Sequence, residues 1–173
     1  MIDSDLPFSE PVRLHQVGAG LTRRLEPDAA ARARIARSLD LASLDAFSAD
    51  LTLVATASGW RLAGRLHAEA VQTCGVSLEP LPVTIDDDFS VALSEAAAPD
   101  PDGEIDVSMD DESPDLVEDG RIDLGQYAVE QLALRLDPFP RKPGAEFVQP
   151  PEPGEVSPFA VLRRLTPGNE GEG

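Results

Sequence analysis

The alternation of apolar and polar residues predicts a β-hairpin over residues 48–72, because successive side chains lie on opposite faces of a strand. With a two-residue turn at Ser58-Gly59, His67 lies opposite Asp50, which predicts a cross-strand ion pair. The same register sets apolar residues against each other, Leu62 against Ala55 and Leu66 against Leu51. One apolar row then covers both strands: Leu51, Leu53, Ala55, Ala57, Trp60, Leu62, Leu66 and Ala68.

Three further segments have the pattern of strands: Ser9 to Val17, Val83 to Leu93, and Leu116 to Glu118. In the second of these, Asp87 interrupts an apolar row and indicates a bulge or the edge of a sheet. The Asp119-Gly120 pair that follows the third predicts a turn.

Two helices are predicted from their periodicity and their start signals. The first opens at Pro27 and presents apolar residues four apart, namely Ala31, Ile35 and Leu39. The second is capped by Asp123, with Gln126 placed to complete a capping box. It runs from Leu124 to about Leu136 and ends before Pro138, since the residue preceding a proline avoids the helical region.

These elements predict an α+β fold with a curved antiparallel sheet of four or five strands and two main helices. Residues 1–138 form the single domain, in which residues 94–114 are too poor in large apolar side chains to order and are predicted to be a flexible acidic loop. Residues 139–173 are predicted to be an extended Pro-rich tail, with a short helix near 158–165 that packs either on its own domain or on a partner.

Charge narrows the classes of function. The 173 residues carry 32 Asp and Glu against 14 Lys and Arg, a net charge of -18, and no Lys or Arg occurs between Arg65 and Arg121. Such a surface repels phosphate backbones, so direct RNA binding is expected to be weak or absent, and it attracts basic proteins such as free ribosomal proteins. The arginines of the first helix are either an RNA contact or, as the nearby acidic residues favour, a solvated face.

Cys74 is the single cysteine, so no intramolecular disulfide can form. The segment MIDSDLPFSEP lacks the basic start and apolar run of a signal peptide, and no apolar stretch reaches the roughly 20 residues of a membrane helix. The expected location is the cytoplasm.

Catalytic and metal-binding signals are weak. Cys74 with His67 or His15 could supply a nucleophile and a base, but a lone cysteine usually behaves as a small buried apolar residue. Two histidines and one cysteine so far apart make a poor zinc site. The acidic run at residues 100–106 lacks the glycine and glutamate spacing of a calcium-binding loop. No cofactor is expected.

Three stretches together resemble a known family: residues 72–81 (QTCGVSLEPL), residues 122–134 (IDLGQYAVEQLAL) and residues 158–162 (PFAVL). The pattern is similar to the YceD-like family, the large ribosomal RNA subunit accumulation proteins, and looks like an alphaproteobacterial member. Many relatives carry cysteines beside position 74 and after the long helix, which suggests a metal site. Residues 137–144 here contain no cysteine, so no metal is expected in this chain.

The resemblance implies a non-enzymatic factor in large ribosomal subunit biogenesis that supports accumulation or processing of the large-subunit RNA. The acidic charge favours a basic ribosomal protein or assembly factor as the partner. The candidate partner-binding residues are Cys74, Glu79, Asp123, Glu130, Phe159 and Leu162. The alternative is a small hydrolase that depends on Cys74 or on a metal.

Overall fold

The computed structural model describes residues 6–95 and 114–147. The elements are β1 Pro11–Arg13, β2 Leu21–Leu25, α1 Ala29–Ser38, β3 Ser43–Thr56, β4 Gly59–Thr73, β5 Pro80–Glu95, β6 Asp115–Val117, β7 Arg121–Asp123 and α2 Leu124–Ala133. A five-stranded sheet has the order β2-β3-β4-β5-β6, and β1 and β7 form a separate two-stranded sheet. The predicted α+β class, with a sheet of five strands and two helices, is confirmed. One pairing is parallel, between β5 and β6, where a wholly antiparallel sheet was predicted.

The β3–β4 hairpin is the centre of the sheet, but its register differs by two residues from the predicted one. Thr56 pairs with Gly59, so the turn is Ala57-Ser58 and not Ser58-Gly59. A shift of two residues keeps every side chain on its predicted face, because the side-chain period of a strand is two. The predicted partners are nevertheless wrong: Asp50 lies opposite Arg65, and His67 lies opposite Ser48.

The apolar row of the hairpin, apart from the exposed Ala55 and Ala57 near the turn, packs into one core with the helices. Leu51, Leu62 and Leu66 are no more than 1% exposed, as are Ile35 of α1 and Leu132 of α2. The opposite face of the sheet is polar and open, and across it an alternating row of charges runs through Arg24, Asp50, Arg65 and Asp88. The fold is therefore a sheet with helices on one face, the arrangement that buries the apolar side of each element.

The N-terminal prediction was partly wrong, because only Pro11–Arg13 of the segment from Ser9 to Val17 is a strand. Leu14–Gln16 forms a 3₁₀ turn that buries Leu14, and Arg121–Asp123, not predicted as a strand, pairs with β1. Helix α1 begins at Ala29 with Asp28 as its cap, two residues after the predicted start at Pro27.

Helix α2 is capped by Asp123, as predicted, through the Gln126 N–H at 3.0 Å. The reciprocal half of the capping box does not form, since the Gln126 side-chain oxygen accepts no hydrogen bond from the Asp123 N–H, while its Nε2 donates to Glu130. The helix ends at Ala133, earlier than the predicted Leu136. Neither helix of residues 6–95 and 114–147 is long and apolar enough to cross a membrane.

Asp87 marks a sheet edge, and the predicted alternative of a bulge is wrong, since the β4–β5 register continues through it. Among the described residues, β5 has an outer neighbour only at Leu93–Glu95, where β6 pairs. Beside Asp87 the edge is covered by Arg135, which donates to the Asp87 carboxylate at 2.6 Å and to the Asp88 carbonyl at 2.9 Å.

Candidate functional site

The turn between β4 and β5 brings the first of the three characteristic stretches into a closed loop around Cys74. The Cys74 N–H donates to the Glu79 carbonyl at 2.9 Å, and the Leu78 N–H donates to the Cys74 carbonyl at 3.0 Å. Leu78 adopts a left-handed conformation with φ of 59° and leaves its side chain exposed. The loop is thus held by its own backbone, with the thiol pointing inward.

The Cys74 thiol is buried and accepts two backbone hydrogen bonds, from the N–H of Ser77 and the N–H of Lys142, both at 3.3 Å. The hydrogen bond from Lys142, followed by those from Ser77, lowers the pKa of Cys74 to about 6, although burial opposes this shift. These hydrogen bonds favour the thiolate form, while burial keeps the sulfur from solvent.

The segment after α2 packs against this loop. Pro140 accepts from the Gly75 N–H at 2.9 Å, and the Lys142 ammonium donates to the Glu79 carboxylate, also at 2.9 Å. The Lys142 hydrogen bond, joined by one from Ser77, lowers the pKa of Glu79. The first residues of the predicted tail therefore contact the domain, and Glu79 acts as their anchor.

A groove of about 490 Å³ lies beside the Cys74 loop, between the end of α1 and the end of α2. The first two characteristic stretches meet in its wall, since the first supplies Gln72, Thr73, Gly75 and Val76 and the second supplies Ala133. The rest of the lining comes from the end of α1 and from the segment after α2: Leu39, Asp40, Leu136, Asp137, Pro138, Phe139, Pro140 and Arg141. Most of the lining surface is apolar, which suits an apolar side chain better than a charged ligand.

Asp123 and Glu130 lie at a second place, near the start and middle of α2. Besides capping the helix, Asp123 accepts from the Ser9 hydroxyl and from the Glu10 N–H, so its carboxylate is fully engaged in holding the N-terminal segment. Glu130 is exposed and accepts from the Gln126 side chain at 2.7 Å. Both line a cleft of about 540 Å³ together with Asp115, Glu118, Arg121 and Tyr127.

The Tyr127 hydroxyl donates a hydrogen bond to the Asp115 carboxylate across this cleft, at 3.2 Å. Burial, with the Asp115 charge adding to it, raises the pKa of Tyr127. The phenol therefore stays protonated and ties α2 to β6. The predicted residues thus divide into two pairs, Cys74 with Glu79 and Asp123 with Glu130, while Phe159 and Leu162 lie outside the described residues.

Two residues with prominent polar contacts were not among the sequence candidates: Lys142, at the Cys74 loop, and Arg135, at the outer edge of β5. Arg135 has its side chain 18% exposed and lies over the Phe89 ring, 5.9 Å from the centroid. A signal for it existed, because an aspartate in an otherwise apolar row favours a cationic partner nearby, even where its side chain stays exposed, as that of Asp87 does. No comparable signal marked Lys142, whose role depends on the path of the chain after α2.

The described residues offer no evident metal site. Within 6–95 and 114–147, no three side chains of His, Cys, Asp or Glu gather closely enough to hold an ion. Among the charges that do meet are two ion pairs on the open sheet face, Arg24 with Asp50 and Arg65 with Asp86. What this arrangement offers chemically is an apolar groove, an acidic cleft and a polar sheet face, all suited to binding.

Comparison with known proteins identifies the family. No curated protein and no solved structure matches the sequence significantly. A sequence model described as "Large ribosomal RNA subunit accumulation protein YceD" matches residues 62–165, more than half of the 173 residues. The match includes most of β4, the Cys74 loop, α2 and the whole acidic cleft, whereas Leu39 and Asp40 of the groove lie before it. The chain therefore belongs to the YceD family.

Proposed function

We propose that this chain is a non-enzymatic cytoplasmic factor in large ribosomal subunit biogenesis, which supports accumulation or processing of the large-subunit RNA by binding a basic ribosomal protein or assembly factor. The family match carries the proposal, because the family is described by its role in accumulation of that RNA. The nature of the partner is argued from charge.

Charge supports a basic protein over RNA as the direct partner. The net charge is -18, and a surface of this sign repels phosphates. Several cations of the described chain are engaged by carboxylates, as in the pairs of Arg24 with Asp50, Arg65 with Asp86, and Lys142 with Glu79. Among the described residues, the open sheet face carries no Phe, Tyr or Trp of the kind on which bases stack in sheet-type RNA readers.

The arginines of α1 are also engaged within the protein. Arg32 donates to the Pro27 carbonyl at 3.0 Å and Arg34 to the Pro7 carbonyl at 3.1 Å, while Arg37 donates back to its own helix. These contacts favour a solvated face that fastens the N-terminal segment. They do not form the cluster of freely presented cations that tracks a phosphate backbone.

The cleft that contains Glu130 is the acidic surface we assign to the partner. Glu118 and Glu130 are exposed on it and lie within the family match. An exposed carboxylate attracts a basic protein at long range and is screened by salt, so binding is expected to weaken as salt rises.

A Cys74-dependent hydrolase is the second candidate, and the lowered pKa of the thiol is the observation that favours it. A nucleophile must reach its substrate, whereas this sulfur is buried and aimed at two backbone N–H groups. The same hydrogen bonds explain the pKa as a consequence of loop closure, so we favour the binding function.

Ribosome profiles of a deletion strain test the function itself. Loss of the gene is expected to lower the ratio of large to small ribosomal subunits during slow growth or in the cold. Expression of the Cys74→Ala protein in the deletion strain is expected to restore this ratio. An unchanged ratio in the deletion strain would refute the function. Failure of a folded Cys74→Ala protein to complement would favour the hydrolase.

Affinity purification at low and high salt tests the nature of the partner. Glu118→Gln with Glu130→Gln is expected to reduce recovery of large-subunit components at low salt by several-fold, with less effect at high salt. The matched control is Glu26→Gln with Asp45→Asn, which removes two exposed charges near the opposite edge of the sheet. Equal recovery with both double variants would contradict binding at the cleft.

A further inference from the structure

The apolar groove beside the Cys74 loop has the features of a docking site. Leu39, Val76 and Leu136 line it, and Phe139 on its wall is 76% exposed. Covering an exposed aromatic ring beside an apolar groove would remove its surface from water, which is favourable. The chemistry of the groove therefore calls for an apolar segment.

The chain itself carries such a segment at residues 158–165, PFAVLRRL, outside the described residues. Its apolar residues Phe159, Leu162 and Leu165 recur every three positions, which places them along one side if the segment is helical. The family match ends at Leu165, so this segment belongs to the sequence shared with the family.

The connection is long enough to reach the groove. Phe147 is the last described residue, and the chain from there to Phe159 can span about 40 Å when extended, at roughly 3.4 Å per residue. A domain of this size has a radius of gyration of roughly 14 Å. The chain also passes the groove shortly before, since Phe139 and Pro140 form part of its wall.

Charge complements this fit. Asp40 and Asp137 line the groove, and Arg163 and Arg164 follow directly after Leu162 in the segment. Arg141 also lines the groove, so the acidic excess is small and apolar contact supplies most of the attraction. We propose that residues 158–165 dock in this groove of their own chain, with Phe159 and Leu162 against Leu39, Val76 and Leu136.

Solution NMR of the full-length protein tests the proposal. Nuclear Overhauser contacts are expected between the Phe159 ring and the methyl groups of Leu39, Val76 or Leu136. Leu162→Asp is expected to abolish these contacts. It is also expected to accelerate hydrogen exchange of the Gly75 amide at least about tenfold, because this N–H donates to the Pro140 carbonyl in the wall of the groove. Thr166→Asp, which adds the same charge just outside the apolar set, is the control and is expected to keep them.

A second variant changes the groove and leaves the segment intact. Ala133 is an exposed groove residue, so Ala133→Trp fills the space without disturbing the core and is expected to abolish the same contacts. An NMR sample that mixes isotope-labelled and unlabelled protein distinguishes docking within one molecule from docking between two molecules. Contacts between two molecules would overturn the proposal in favour of a second copy. Absence of the Phe159 contacts in the wild-type protein would overturn it outright and leave the groove to another protein.

Discussion

Replacing Arg135 by Ala removes the side chain that closes the outer edge of β5, and it is expected to destabilise the fold more than an ordinary surface substitution. The guanidinium donates to the Asp87 carboxylate at 2.6 Å and to the Asp88 carbonyl at 2.9 Å, and it lies 5.9 Å from the centre of the Phe89 ring. Its own side chain is 18% exposed, so water replaces these contacts poorly.

The expected loss is about 2–3 kcal/mol in the free energy of unfolding. The hydrogen bond from the guanidinium to the Asp88 carbonyl contributes about 1.5–2 kcal/mol. The ion pair with Asp87 adds little, because that carboxylate is 58% exposed and water screens it. The contact with Phe89 adds roughly 0.5–1 kcal/mol. Arg135→Met keeps the apolar stem and is expected to cost about 1–2 kcal/mol.

Urea unfolding followed by fluorescence of Trp60, the single tryptophan, measures this loss. The Arg135 hydrogen bond is the main cause that lowers the pKa of Asp87 below its ordinary value of 3.8. The ionised pair therefore stabilises the fold above that pH, and its contribution is lost as pH falls below it. The difference in free energy of unfolding between wild type and Arg135→Ala should therefore become smaller as pH falls below that value. A loss under about 0.5 kcal/mol at pH 7, with an unchanged urea slope, would refute the reasoning.

Three further predictions concern packing, the thiol and RNA. Gly64→Ala is expected to cost about 2 kcal/mol, measurable by thermal unfolding, since the added carbon would lie 2.6 Å from the Leu51 side chain and 2.8 Å from the Asp50 carbonyl. Cys74 should resist alkylation in the native protein and react in urea. Because its pKa is lowered from 9.0 to about 6, its contribution to stability should be present above pH 9 and fall away as pH drops through 6, a trend that Cys74→Ala should lack. Filter binding to ribosomal RNA fragments should show no sub-micromolar affinity at physiological salt.

The sequence by itself determined the class of fold and, in the β3–β4 hairpin, the face on which the paired residues lie. Alternation at period two fixed the inward row that includes Leu62 and Leu66, and even a register error of two residues left that row in place. The N-cap at Asp123 was readable because capping depends on a few adjacent residues. The characteristic stretches also indicated the family without any tertiary contact.

Tertiary structure alone decided which residues meet. The turn formed at Ala57-Ser58, so Asp50 came to lie opposite Arg65 rather than His67. Helix α2 ended early, and the segment after it turned back so that the Lys142 N–H reached the Cys74 sulfur. These outcomes depend on packing between segments distant in sequence. The local sequence pattern determines to which face a side chain points, but the residue that it contacts depends on how distant segments pack together.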